Sequence, residues 1–418
     1  MGDYPQFEGW ISQPALRLVT QFVLPQTFSG SVKLGEPMIV GVPTETWPGE
    51  RRVALVPAVV PSLTKRGLDV VLEAGAGVNA GFSDAAFVEK GARIAGSRGE
   101  VFDAAGVILQ VRADNGDFAG SRPGQVIIGF FDPLSSPERI QTIAQTGVTA
   151  FSMELMPRIT RAQSMDALSS MATISGYKSV LMAANYLPRI FPMLMTAAGT
   201  IAPAKAFIVG VGVAGLQAIA TARRLGAIVS AYDVRPAARE QVESLGAKFV
   251  ELPLEIAAAE DKGGYARAQD ESLYRRQREL MERVVAESAV VITTAAIPGK
   301  KAPVLITGDM VSKMAPGSVI VDLGIERGGN CELTEPDRVI ERHGVTILGP
   351  MNVPASVPYH ASQMYAKNIS AFLLHITKNG GIAFDGKDEI LDETLLTRDG
   401  QVVNPRMLAL PGKTEKES

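Results

Sequence analysis

Gly210, Gly212 and Gly215 fall in the spacing G-x-G-x-x-G within the stretch AFIVGVGVAGLQAIATARRLGAIVSAYD, and Asp233 closes that stretch 18 residues after Gly215. A glycine at the first position permits a tight turn. The second lets backbone N–H groups approach a phosphate, and the third lets a helix pack closely on a strand. The intervening Val211, Val213 and Ala214 lie at the start of that helix, where the peptide dipoles favour an anion. An apolar strand precedes the glycines and an apolar helix follows them. Asp233 stands at the end of the next strand, ahead of Val234 and Arg235. Together these features predict dinucleotide binding. Asp233 would accept hydrogen bonds from the adenosine ribose and repel a 2′-phosphate, so NAD is favoured over NADP. Arg235 could in principle bind a 2′-phosphate, but the acid at the strand end outweighs it. Downstream, TTAAIPG at 293–299 follows another strand, which brings Thr294 and Ala295 to the crevice where such a ligand lies. Asp322, at the next strand end, is either a ligand contact or a capping carboxylate.

Other reactive side chains are few. His343, His360 and His375 are widely spaced beside the one cysteine, Cys331, and make no metal-ligand pattern. Surface or packing roles are expected of all four. A single cysteine forms no internal disulfide, which suits a reducing compartment. Lys plus Arg is 41 and Asp plus Glu is 44, for a net charge of −3, so no global basic field is present to hold nucleic acid or anionic lipid. The 418 residues, 46% hydrophobic and 20% charged, suit a globular protein of two to three domains, not a disordered chain or a coiled coil.

The elements that must position these residues can be read from the apolar runs. Strands are expected at Met38–Val42, Asp69–Glu73, Val107–Val111, Val126–Phe131 and Ala150–Glu154. A second set is expected at Ala206–Val209, Ile228–Asp233, Val290–Thr293, Ser318–Leu323 and Val345–Leu348. Helical stretches alternate with them, including Asp84–Lys90 with Asp84 as its N-cap, Ser170–Tyr186 and Leu216–Leu225. This alternation predicts an α/β protein with two Rossmann-like domains, parallel sheets and a cleft between them. Met156–Ser170, MPRITRAQSMDALSS, breaks the rhythm as a polar loop, and Asp261–Glu282 reads as a charged insertion. Residues 1–37 lack the basic start of a signal peptide and read as an extension, with helical character at Pro14–Phe22. The apolar runs Ile190–Ala204 and Ala206–Ala222 are too short and too rich in Pro or Gly to span a membrane, and are expected to be buried elements and loops.

Three segments taken together, GVPTE…ERRVALVP (41–57), the GVGVAG unit and PGSVIVDLGIERGGN (316–330), resemble one superfamily. It contains alanine dehydrogenase and the NAD(H)-binding α component (domain I) of proton-translocating nicotinamide nucleotide transhydrogenase. The resemblance covers about Met38 to Leu374. Met156–Ser170 and GGYAR at 263–267 point to the transhydrogenase branch. In alanine dehydrogenase a lysine and a histidine move the proton; here those positions hold Arg112 and Asp132. Arginine is effectively never deprotonated, and an ionised aspartate does not replace an imidazole poised near neutrality. Arg52 does match that enzyme's substrate-carboxylate arginine, and Glu326 occupies the position of its aspartate. Transhydrogenation needs no such acid or base, because a hydride passes directly between two nicotinamide rings and the protein's task is placement and shielding.

The resemblance therefore implies an NAD(P)(+) transhydrogenase of the proton-translocating, Si/Re-stereospecific type, this chain binding NAD(H). An alanine dehydrogenase-like enzyme and a non-catalytic NAD-binding module stand as alternatives. It implies that the Met156–Ser170 loop lies over the nicotinamide. Gln163 would steer the ring, Arg158 would contact the carboxamide or a phosphate-side group while held by Asp166, and Ser169 would donate to the carboxamide. Gly263-Gly264-Tyr265 would form a mobile lid. The implied partners are a second copy of the chain and separate subunits that bind NADP(H) and span the membrane, with no metal or nucleic acid. The implied place is the cytoplasm, on the inner face of the membrane through those partners. The expected organisation is an extension at 1–37, a first domain at 38–165 plus 359–380, the NAD(H) domain at 180–350 and a tail at 381–418.

Overall fold

The computed structural model describes residues 38–113, 118, 120–251, 271–297, 299–378, 380–384 and 387–410. The expected extension at 1–37, the Gly263–Tyr265 lid and the last eight residues of the expected tail lie outside the described residues.

Two sheets dominate. The first has eight strands, in the spatial order Gln401–Val402, Leu395–Arg398, Thr149–Ser152, Val126–Phe130, Val107–Arg112, Met38–Val42, Leu68–Glu73 and Arg93–Ala95. The six built from residues 38–152 are parallel, with the chain reversing direction of travel between Met38–Val42 and Val107–Arg112. Their continuous apolar character follows from burial on both faces. The second sheet has seven strands in the order Lys248–Phe249, Ile228–Tyr232, Lys205–Val209, Val290–Thr293, Val319–Asp322, Val345–Leu348 and Val339–Arg342. Only Val339–Arg342 runs antiparallel to its neighbour. Both are doubly wound sheets of the Rossmann kind, so ligands are expected in the crevice beyond the carboxyl ends of the strands.

Two connections join the domains. The helix Ala167–Tyr186 leads out of the first, and the helix Pro358–Ile376 returns to it. Tyr365, Ile369, Phe372 and Leu373 of the returning helix complete the first domain's core with Val40, Leu72, Leu109 and Phe151.

Three readings need correction. The region expected as a tail from 381 folds in part: Glu389–Thr394 is helical, and Leu395–Arg398 pairs antiparallel with Thr149–Ser152 through Ala150–Thr397. The N-cap of the helix Asp84–Glu89 is Ser83, whose side chain accepts from the Ala86 N–H, while Asp84 reaches back to the Gly75 N–H. Ile190–Ala204 contains an exposed hairpin, Leu194–Thr196 with Gly199–Ile201. No helix among the described residues is long and apolar enough to cross a membrane.

Candidate functional site

The glycine turn follows the strand Lys205–Val209. Gly210 has φ +91°, in the left-handed region, and a Cβ there would sit 2.8 Å from the Thr294 hydroxyl and 2.9 Å from the Ala295 nitrogen. Thr294 donates to the Gly210 carbonyl at 2.9 Å. The sequence-predicted residues Thr294 and Ala295 thus abut the turn. Gly212 caps the helix Val213–Arg224, and the space where its side chain would stand is open. That opening, beside the N–H groups that lead the first helical turn, fits a pyrophosphate. A Cβ on Gly215 would lie 1.9 Å from the Gly210 carbonyl oxygen, so only glycine lets this helix approach.

Asp233 and Arg235, weighed as alternatives in the sequence, form one unit. The Asp233 carboxylate accepts from the Val211 N–H at 2.7 Å, the Arg235 N–H at 2.9 Å and the Arg235 guanidinium at 2.9 and 3.1 Å. Arg235 also donates to the Val211 carbonyl at 3.0 Å. Val234, between them, packs partly on the core. Asp322 is a capping carboxylate: fully buried, it accepts from the Thr293 hydroxyl and from the N–H groups of Gly324, Asn330 and Cys331.

The polar segment Met156–Ser170 contains a 3-10 turn, Thr160–Met165, whose Ala162 and Met165 are buried in the first core. Asp166 caps the helix that follows, accepting from the Ser169 N–H at 2.9 Å and the Ser169 hydroxyl at 2.6 Å. Arg158, Gln163, Asp166 and Ser169 line one cavity of 470 Å³, with Thr173 and Met364. Gln163 is exposed and makes no side-chain hydrogen bond among the described residues.

The sequence reading missed the residue that joins this cavity to the glycine turn. Gly176, in the middle of Ala167–Tyr186, packs against Ala214; a Cβ there would lie 2.0 Å from the Ala214 carbonyl oxygen. A glycine inside an otherwise helical run is the available signal for such an approach.

At the carboxyl edge of the first sheet, charges are already matched. Arg52 is buried, with its guanidinium on Glu50 at 2.7 and 2.5 Å and on the Asn352 side chain at 3.0 Å. Burial opposes ionisation of Glu50, but hydrogen bonds from Arg52, the Arg52 charge and Asn352 together hold its carboxyl below the usual carboxylate range. Arg112 lies over the Trp47 ring at 4.1 Å. Asp132, with φ +49°, pairs across the domains with Arg327 at 2.6 and 3.1 Å, and Arg327 also donates to Ser135. Glu326 accepts from the Asn352 N–H at 2.7 Å. Burial pushes the Glu154 carboxyl up, although it accepts from the Ser152 hydroxyl and the Asp132 N–H. Among the described residues no group of three or more His, Cys, Asp or Glu could hold a metal ion.

Comparison with known proteins gives the family and the fold. Residues 41–175 match the family described as alanine dehydrogenase/PNT, N-terminal domain, and residues 179–405 match its C-terminal domain. An NAD(P) transhydrogenase subunit alpha polypeptide of Rhodospirillum rubrum is 45% identical over 379 residues, 88% of this chain and 99% of that protein. The crystal structure of transhydrogenase from Sinorhizobium meliloti superposes with a TM-score of 0.77 at 45% identity, over 88% of this chain and 99% of that one. Alanine dehydrogenase of Mycolicibacterium smegmatis is 28% identical, over 88% of this chain and 95% of that protein. With both domains matched and the α subunits the nearer in sequence, this chain belongs to the NAD(P) transhydrogenase α-subunit family, within the alanine dehydrogenase/PNT family.

Proposed function

We propose that this chain is the NAD(H)-binding component of a proton-translocating transhydrogenase, passing hydride directly between NAD(H) here and NADP(H) on a partner subunit. The observation that carries the reading is the cavity lined by Arg158, Gln163, Asp166 and Ser169, joined by one helix to the open glycine turn. The turn and the helix N-terminus at Gly212 hold the pyrophosphate, and Asp233 and Arg235 meet the adenosine ribose. The nicotinamide ring itself supplies the hydride chemistry. Around it Gln163 orients the ring, and Arg158 and Ser169 meet the carboxamide. Asp166 holds Ser169 in place. Tyr265, outside the described residues, is a further nucleotide contact that the family resemblance implies. A membrane-spanning subunit carries the coupled proton movement. The chain works in the cytoplasm at the inner face of the membrane.

The Arg52 clamp weighs against an amino-acid oxidoreductase, since that guanidinium is already neutralised by Glu50. A homodimer is supported by the hairpin region, where Met193, Leu194, Met195 and Ile201 face solvent together; exposed apolar patches of this kind mark association surfaces. The reading is tested by mixing the full chain with its NADP(H)-binding and membrane partners, NADP⁺ and a reduced NAD analogue, beside parallel L-alanine and pyruvate assays. Analogue oxidation only with the partners present is expected. Alanine-dependent NADH production by the chain alone would overturn it.

A further inference from the structure

Asn368 sits on the returning helix Pro358–Ile376 and is only 6% exposed. Its side-chain N–H donates to the Ser164 carbonyl at 2.9 Å, a contact between residues 204 apart. Its oxygen has no hydrogen-bond partner among the described residues. Leaving one polar atom of a buried amide unmet costs about 1–3 kcal/mol, so a leucine of similar size would serve the core better. The amide is therefore not explained by stability.

The same helix carries His375, seven residues on and hence on the same face. His375 Nε2 lies 2.5 Å from Asp388, and the other Asp388 oxygen pairs with Arg161 at 2.8 Å. Ser164 and Arg161 flank Gln163 in the 3-10 turn Thr160–Met165. One helix face thus grips the turn on both sides of Gln163, directly at Ser164 and through Asp388 at Arg161.

We propose that Asn368 is a positioning residue for hydride transfer, which, with the His375–Asp388–Arg161 chain as a second grip, fixes the direction in which Gln163 meets the nicotinamide. This rests on the proposed role of Gln163. Neither Asn368 nor Asp388 lines the cavity, so both act through the backbone of the turn. A three-atom tether at the neighbouring peptide controls where the Gln163 amide points, and small misplacements of a reacting pair are costly.

The test uses the full chain assembled with its partner subunits, NADH titration by fluorescence, thermal melting and single-turnover hydride transfer at saturating NADH. Asn368→Leu is expected to melt at or above the wild-type temperature and to bind NADH within about threefold, because the pyrophosphate and ribose contacts are untouched. Its transfer rate should fall about tenfold or more. Arg161→Met, at an exposed position, should lower the rate about threefold and decides the matter if the leucine variant does not fold. A well-folded Asn368→Leu protein transferring within twofold of wild type, or an unchanged Arg161→Met rate where only that variant folds, would overturn the positioning role alone. Failure of the wild-type chain to bind NADH would instead overturn the nucleotide reading and this proposal with it.

Discussion

Replacing Gly176 by alanine sets two known effects against each other. In a helix interior alanine is better than glycine by about 1 kcal/mol, so propensity alone predicts stabilisation. The added Cβ would stand 2.0 Å from the Ala214 carbonyl oxygen, 2.8 Å from its carbon and 3.0 Å from its Cα. An ordinary carbon–oxygen contact is about 3.3 Å or more, so the two helices must part by more than about 1 Å. The obstacle is backbone and has no rotamer to change. Overpacking of this sort costs about 3 kcal/mol, the upper end of its usual range. Net destabilisation of about 2 kcal/mol should lower Tm by roughly 4–8 °C. Ala214 lies in the first turn of Val213–Arg224, so the same displacement moves the N–H groups that face the open space at Gly212. NADH affinity should drop about tenfold, equivalent to about 1.4 kcal/mol. Calorimetric melting and NADH titration read both effects. A Gly176→Ala protein that melts higher than wild type and binds NADH equally well would show that the helices have slack there, and the steric argument would fail.

Gln163→Asn shortens the side chain by one methylene and leaves Gly210–Gly215 and Asp233 alone; NADH binding should change less than about fivefold while single-turnover transfer falls about 10²-fold. Asp233 should make NADH bind at least about 100-fold tighter than NADPH, about 2.7 kcal/mol, and Asp233→Ser should erase most of that preference in calorimetric titrations. Glu50→Gln leaves the buried Arg52 charge without its counter-ion and should cost about 3 kcal/mol in chemical denaturation. Because the folded Glu50 carboxyl is held below its ordinary range, its stabilisation is full above the unfolded value and is lost as pH falls through the lowered folded value. The wild-type chain should therefore lose stability on the acid side more steeply than Glu50→Gln does.

The strands were legible because parallel sheets buried on both faces are written as unbroken apolar runs, as at Val107–Arg112 and Val290–Thr293. The glycine turn was legible because its constraints are local. Leu395–Arg398 was not, since its only reason to be a strand is a partner near residue 150, with no local period to announce it. Arg327 and Asp132 lie 195 positions apart, and each reads as a solvated charge until the domains face one another. Asp233 and Arg235 were seen but read as rivals, because sequence spacing does not show that one side chain folds onto the other. Gln163 is the opposite case. Its residue type and surroundings say only polar loop, and family resemblance singles it out.

The discontinuity of the first domain bears on how the protein is made. Ribosomes release chain in order, and domains generally fold as their last element emerges. Here the second sheet has all its strands by Leu348, while the first still lacks the helix Pro358–Ile376 and the strand Leu395–Arg398. The apolar face formed by Val40, Leu72, Leu109 and Phe151 is synthesised early and stays uncovered until Tyr365, Ile369 and Phe372 appear. More than 200 residues separate Thr149–Ser152 from its antiparallel neighbour, a delay of roughly 10–50 s at ordinary elongation rates. The first half of the nascent chain spends that interval with an unfinished core, so the usual order of synthesis is inverted here: the C-terminal sheet is complete while the N-terminal one still exposes apolar surface open to misassembly.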